Sequence, residues 1–324
     1  MASRTPAAGF PDNSVMHLLI PFACSTASAC VDALTPLRLP NLEKLLRRLP
    51  LIHTDAGSAT SLTPPHERAL AELHGLAGTD GHIAWAAQEA ALSGRPSNAQ
   101  AWAWITPVHW DVGADHITMA DPQRLDLQET QSRELLSAML PFFEEDGITL
   151  EYATPQRWLA HGDVFAGLAS ASLDRVAGGE ISLWMLNAPT LRRLQNEMQM
   201  LLYTHPINDA RSARGLATVN SFWVSGTGKL PAASIPKPAG VVVADSLRTA
   251  ALSGDWAQWA QTWVRLDQHE CRVLLESSAA GKEVQLTLCG ARNAMRFKTA
   301  QDGFLNRIRR RFTHPTLQAI QEQL

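Results

Sequence analysis

The chain has 324 residues, enough for about two domains, and its 45% hydrophobic and 18% charged residues are those of an ordinary globular protein. A net charge of −3 and a pI near 6.4 give no excess of either sign that would point to nucleic acid or an anionic membrane as partner. Four cysteines, Cys24, Cys30, Cys271 and Cys289, form no C-x-x-C pair, so neither a zinc knuckle nor a dithiol redox site is predicted, and a reducing cytoplasmic location is expected.

In chain order, residues 1–14 read as a loose tail. The run at 15–22 reads as a buried first strand. Its apolar core, followed by Ser-Ala-Cys, also has the look of a signal segment, but Pro11, Asp12 and Pro21 and the single Arg4 argue against that. "NLEKLLRRL" predicts an amphipathic helix with Asn41 as its cap. Two helices are expected at Pro65–Leu76 and Gly81–Leu92, separated by "GTDG". "AWAWITPVHWDV" (101–112) alternates and is β-branched and aromatic, so it predicts strand, with a short strand at "ITM" after it. A strong helix follows at Leu127–Phe143, then strand, turn and strand in "ITLEYATPQRWLAH", then a second strong helix at Leu191–Tyr203 that His205-Pro206 stops. "GVVVADS" and "EVQLTLCG" read as strands, with a helix at Asp255–Leu266 between them. The tail after Phe304 is basic ("RIRRR", 307–311) and then helical. No apolar run reaches 18 residues, so no membrane-spanning helix is predicted.

Helix and strand alternate at both ends of the chain, and the middle has an α+β pattern. The expected fold is therefore α/β, with a core from 1–105 plus 233–324 and an inserted α+β domain at 106–232.

The most specific stretch is "HPINDARSARGLATVNSFWVSGTGKLP" (205–231). Its series His205, Pro206, Asn208, Arg211, Gly215, Asn220, Trp223, Gly226, Gly228 and Pro231 resembles the pattern of the archaeal-type, cofactor-independent phosphoglycerate mutases, members of the alkaline phosphatase superfamily. A weaker match lies in "WITPVHWDVGADHITMADPQRLDLQETQSRELL", and within the superfamily the chain looks closest to the RpfE-type regulatory proteins. The resemblance implies an alkaline-phosphatase-like core and, in the mutases, two divalent metals with a Ser or Thr that is transiently phosphorylated.

Departures from that pattern bear on function. Pro21 and Phe22 stand where the mutases carry a metal-binding Asp-Gly after the first strand. The last core strand ends in Cys289 and Arg292 instead of Asp-His, and "LDQHE" (Asp267 to His269) has the wrong spacing for the family's Asp-x-x-x-His. A two-metal centre needs several Asp and His ligands at strand ends. The expectation is a catalytically degenerate relative with no metal and no cofactor, acting as a regulatory or ligand-binding protein. The alternatives are an active mutase or phosphatase whose ligands lie elsewhere, and a protein-interaction module using exposed tryptophans. The expected partner is a small anionic, phosphorylated ligand or another protein, with neither nucleic acid nor membrane.

The ligand candidates are Arg211, Arg214, Asn208, Asn220 and Lys229. Arg211 either grips a phosphate or carboxylate through its planar fork, or makes a structural ion pair, or bonds a carbonyl. Asn208 and Asn220 are candidates for ligand or loop backbone, and Gly226-x-Gly228-Lys229 for an anion loop or a tight turn. His205 and Pro206 with Gly215, Trp223, Gly226 and Gly228 form the structural part of the motif, which is expected to be an ordered junction and not a free loop. His109, Asp111, Asp115 and His116 lie close in sequence but more commonly serve as surface groups than as metal ligands. Ser25, Ser28 and Ser61 have no assigned base.

Overall fold

The computed structural model describes residues 16–76, 78–95, 100–230, 240–299 and 316–324. The expected tail at 1–14 and the basic run at 307–311 lie outside these. The chain is mixed α/β and divides into two compact units, Met1–Thr60, Pro65–Leu70 and Lys237–Leu324 in the first, Ser61–Pro64 and Ala71–Pro236 in the second.

The first unit is built on a five-stranded mixed sheet in the order β2 (Leu51–Asp55), β11 (Ala294–Lys298), β10 (Val284–Cys289), β1 (Met16–Ile20), β9 (Val241–Val243). Strand β1 runs parallel to β10 and β9, while β11 is antiparallel to both β10 and β2. All five residues of β1 are buried, as expected of a parallel strand covered on both faces, and the run "MHLLI" is accordingly apolar without alternation. The one polar side chain in it, His17, meets Thr287 Oγ1 on β10 through Nε2 at 2.8 Å.

Helices α1 (Ser28–Leu34), α2 (Pro40–Arg48), α9 (Arg248–Leu252), α10 (Trp256–Leu266), α11 (Arg272–Ala279) and α12 (Leu317–Ile320) complete this unit, and α3 (Pro65–Leu73) begins in it. Helix α2 turns Leu42, Leu45 and Leu46 into the core. Pro40 is its first helical residue, so Asn41 is not the cap. The cap comes from far along the chain. A π-helical segment, Asp267–Cys271, links α10 to α11, and there the Asp267 carboxylate accepts the Leu42 amide at 2.7 Å, the Asn41 amide at 3.3 Å and the Asn41 side-chain amide at 3.1 Å. Asp267 thus serves the amides that α2 leaves unpaired and is not a fragment of a metal motif.

Burial pushes the Asp267 carboxyl above its ordinary range, against the opposing effect of those hydrogen bonds. A carboxyl whose folded pKa exceeds its unfolded value of about 3.9 holds more protons in the folded state between the two values, so its contribution falls as pH rises through that window. Asp267→Asn removes the titration. The stability of wild type relative to Asp267→Asn, from urea melts at several pH values, is expected to decline as pH rises from about 4. A difference independent of pH would show that Asp267 is not the group responsible.

The second unit holds a four-stranded antiparallel sheet in the order β6 (Thr149–Thr154), β7 (Arg157–His161), β3 (Trp102–Val108), β8 (Ser221–Gly228), with a separate hairpin of β4 (Trp110–Val112) and β5 (Ile117–Met119). Side-chain alternation divides its faces. Trp102 and Leu159 join Ala86, Ala87 and Ala90 of α4 (Trp85–Leu92). Ala103, Ile105, Trp158 and Ala160 join Leu135, Met139 and Phe143 of α5 (Glu129–Glu145) and Leu191, Leu194 and Met198 of α7 (Pro189–Tyr203). The short α6 (Leu173–Val176) and α8 (Pro206–Ala213) complete this unit.

One sequence expectation is revised here. A boundary at 105/106 would cut through β3, whose hydrogen-bond ladders to β7 and β8 require it whole, and α4 shares an apolar cluster with that strand. The division therefore falls earlier, around 61–70. The stretch after His205 is a helix, α8, followed by the eight-residue strand β8. Among the described residues no helix is long and apolar enough to cross a membrane.

Candidate functional site

The resemblance to the mutases directs attention first to the carboxyl ends of β1 and β10 in the first unit. After Ile20 the chain turns through Pro21 and Phe22, and Phe22 has a left-handed φ of 55°. Its carbonyl accepts the Trp259 indole N–H at 3.0 Å, and the next carbonyl, of Ala23, accepts that of Trp263 at 3.1 Å. The two indoles, one helical turn apart on α10, pack edge to face with centroids 6.2 Å apart. The Ala23 amide donates to the Cys289 carbonyl at 2.8 Å. The backbone groups at the end of β1 are therefore spent on the protein itself.

The segment 316–324 lies over the same ground. The Leu324 carbonyl accepts from the Arg292 and Asn293 amides at 3.0 and 2.8 Å, and Asn293 donates its side-chain amide to the Gln323 carbonyl at 2.8 Å. Leu324 is so close to Gly290 that a Cβ there would come within 2.6 Å of it. The Cys24 thiol faces the Gln321 carbonyl at 3.8 Å. Burial pushes the Cys24 thiol up to about 12 and raises Cys289 further.

Two carboxylates stand at this edge that the sequence reading passed over, Asp55 at the end of β2 and Asp245 just after β9. The strand order places them four strand spacings apart, roughly 19 Å. One metal cannot span them, and Asp55 is already paired with Arg68 at 2.8 Å. The donors at the ends of these strands do not fit a two-metal phosphoryl-transfer centre.

The second place of interest, 205–230 in the second unit, resolves into a set of structural devices. His205 is the N-cap of α8, its Nδ1 accepting the Ile207 amide at 3.3 Å, and Pro206 is the first helical residue. Helix α8 ends in a Schellman motif with the Gly215 amide on the Ser212 carbonyl at 2.9 Å and the Leu216 amide on the Arg211 carbonyl at 3.0 Å. Gly215, at φ 68°, occupies the left-handed position the motif requires.

Asn208 is buried and satisfied. Its Nδ2 donates to the Leu202 and Val219 carbonyls at 2.8 and 2.7 Å, and its Oδ1 accepts the Val219 amide at 2.9 Å. Arg211 is fully buried, donating Nε to the Ala217 carbonyl at 2.8 Å, Nη1 to Gln131 Oε1 at 3.0 Å and Nη2 to the Leu125 carbonyl. Burial lowers its pKa. Of the readings open for Arg211, the carbonyl bond is the one the structure contains, because the guanidinium is shut away from solvent. Asn220 grips Trp110 like a neighbouring strand, accepting its amide and donating to its carbonyl, both at 2.7 Å. Trp223 is core, its indole N–H on the Ala171 carbonyl at 3.0 Å.

Gly226-x-Gly228 is not an anion loop. The β3–β8 register shifts there, from Trp102↔Gly228 to Trp104↔Ser225, which marks a bulge. Gly226 has φ 63°, and a Cβ on it would meet the Trp104 ring at 2.9 Å. Gly226→Ala combines a left-handed conformation with a clash and is expected to cost about 2–4 kcal/mol, read as a lower urea midpoint at unchanged m-value. A midpoint within error of wild type would refute the bulge assignment. Arg214 and Lys229 are exposed, on opposite flanks of these elements in sequence, and Pro231 lies outside the described residues.

The remaining candidates do not converge. His109 Nδ1 meets the Thr218 carbonyl at 2.9 Å, while Asp111, Asp115 and His116 are exposed and form no ligand cluster with it. Ser25 Oγ serves the Ala27 amide at 3.3 Å. Of the ten tryptophans, six are buried and Trp85, Trp104, Trp184 and Trp256 are half-buried.

No family model matches the chain, and no curated protein sequence does. Among solved structures, a cofactor-independent phosphoglycerate mutase from Thermoplasma acidophilum is similar, with 13% identity, a TM-score of 0.37, and 94% of this chain and 95% of that one covered. A protein from Pyrococcus horikoshii is similar with 11% identity, a TM-score of 0.40, and 91% and 92% covered.

Proposed function

We propose that this protein is a catalytically degenerate relative of the cofactor-independent phosphoglycerate mutases, of the RpfE-type regulatory kind, which acts by binding and not by phosphoryl transfer. One observation carries the reading. Where the mutase pattern calls for Asp and His at the carboxyl ends of adjacent strands, this chain has Phe22, Ala23, Cys289 and Gly290, closed over by Leu324 and tied to two tryptophan indoles. These four residues supply no carboxylate or imidazole to offset a metal pair. The neutral overall balance favours a small anionic ligand or a protein over nucleic acid or membrane.

The test is elemental analysis of the purified full chain together with phosphoglycerate mutase and phosphatase assays in manganese. The expected result is less than one tightly held divalent metal per chain and no turnover above background. Two metals per chain with mutase turnover would replace this reading with that of an active enzyme whose ligands lie elsewhere.

A further inference from the structure

The second unit contains an open cavity of about 460 Å³ lined by Trp110, Met185, Pro189, Arg192, Arg193, Gln195 and Asn196. The volume lies within the range of roughly 300–1,000 Å³ usual for small-molecule sites. Four of the lining residues, Pro189, Arg192, Arg193 and Gln195, belong to the first two turns of α7, a helix of 15 residues. No side chain caps this helix, and no acidic residue stands in its first turn. Its N-terminal amides and positive dipole end are therefore unmatched, and arginine is the wrong charge to place beside them. Arg193 is balanced by Asp146 at 2.5 Å and Glu197 at 3.0 Å, neither of which lines the cavity. Arg192 is exposed, and its side chain makes no hydrogen bond or ion pair among the described residues.

Two further residues of the lining are buried and incompletely bonded. Trp110 is 3% exposed and Gln195 1%, and the indole Nε1 of the one and the amide Oε1 of the other have no hydrogen-bond partner among the described residues. Orphaned buried polar atoms are rare and costly to the free protein. Both are held in place. Gln195 is anchored by its Nε2 on the Phe222 carbonyl at 3.1 Å, and the Trp110 backbone is clamped by Asn220 on both its amide and its carbonyl. The anchors Asn220 and Phe222 belong to the 205–231 stretch. That stretch therefore positions the donor and the acceptor of this cavity.

We propose that this cavity is a binding site for a small phosphorylated compound that also carries a hydroxyl group. The phosphate would lie against Arg192 and the N-terminus of α7, where an uncapped helix end and a cation favour an anion. The Trp110 indole N–H supplies a further donor, and the Gln195 oxygen, an acceptor only, calls for a donor on the ligand, which a hydroxyl supplies. The inference concerns the second unit and goes beyond the reading of the first. It holds whether or not the chain turns over phosphoglycerate.

The test follows the indole resonance of Trp110, assigned through Trp110→Phe, in ¹⁵N-labelled full-length protein at low ionic strength. The titrants are inorganic phosphate, methyl phosphate and glycerol 3-phosphate. The expected result is a saturable shift of that resonance, with glycerol 3-phosphate bound several-fold more tightly than methyl phosphate. Arg192→Ala, on an exposed helical position, is expected to weaken binding about tenfold or more, the scale of one charged hydrogen bond, while Arg214→Ala leaves it unchanged. No movement of Trp110 with any of the three at tens of millimolar, or a shift indifferent to Arg192→Ala, overturns the site. Equal affinity for methyl and glycerol phosphates overturns the assignment of a hydroxyl to Gln195. None of these readouts depends on metal content or mutase activity.

Discussion

Arg211→Ala is expected to destabilise the second unit by about 3–5 kcal/mol and to leave phosphate binding at Trp110 unchanged in whatever fraction remains folded. The guanidinium is fully buried and joins three separate segments, through the Ala217 carbonyl, Gln131 and the Leu125 carbonyl. Alanine leaves at least two carbonyls without donors in a water-free setting, each worth about 1–3 kcal/mol, and adds a cavity the length of the lost side chain. Against a typical total of about 5–15 kcal/mol the loss is large, and it corresponds to a melting temperature lower by roughly 10 °C. Arg211→Lys is expected to recover little, because one ammonium cannot reach three acceptors set around a planar fork. Arg214→Ala, three residues on and exposed, is the control, with a change within about 0.5 kcal/mol. The measurement is urea unfolding followed by tryptophan fluorescence. A wild-type midpoint for Arg211→Ala would mean that those bonds do not hold the unit together.

The residues around Arg211 also show what was legible in the sequence and what was not. The helix stop at His205-Pro206 was readable, since proline acts locally. That a second helix restarts at Pro206 was not, although proline is as good a start as a stop and His205 a workable cap. The strand Ser221–Gly228 was hidden because its glycines imitate a loop. Only the partner strand β3 shows that they make a bulge. Asp267 was unreadable as a helix cap because its amides lie at Asn41 and Leu42, some 225 residues away. The first-unit strands were legible because burial on both faces leaves uninterrupted apolar runs. The boundary at 105 was misplaced because sequence alone does not say which sheet "AWAWITPV" enters. The cavity had one readable sign, "APTLRRLQ", in which a helix begins on Ala-Pro with two arginines and no acid or cap. The orphaned atoms of Trp110 and Gln195 exist only in three dimensions.

Leu324→Asp and Gly290→Ala, though 34 positions apart in sequence, are expected to produce the same defect. Leu324 is 2% exposed and sits on Gly290 so closely that a Cβ would come within 2.6 Å of its backbone. Alanine at 290 therefore cannot be absorbed by a side-chain rotation, and aspartate at 324 brings an unpaired charge into the same contact. In each case the cheaper response is for the segment 316–324 to leave its place, which exposes the cluster that Leu317, Ile320 and Leu324 help to form. The cost of each variant is then capped by the docking free energy of that segment, about 2–4 kcal/mol for three buried side chains offset by the entropy of ordering them. Since both variants release one segment, the double variant is expected to cost clearly less than the sum of the two, a coupling expected of sites that share a contact. The second readout is chemical. With Gln321 gone from over its sulfur, Cys24 loses the burial that holds its pKa near 12, and the thiol falls toward the ordinary value of about 8.5. Wild type, whose four cysteines are all buried, should resist a disulfide reagent until denatured, and each variant should label at Cys24 under native conditions. Additive costs with Cys24 still protected would show that the segment stays docked in both variants, and that Phe22, Ala23 and the two indoles, not Leu324, close the carboxyl edge of the sheet.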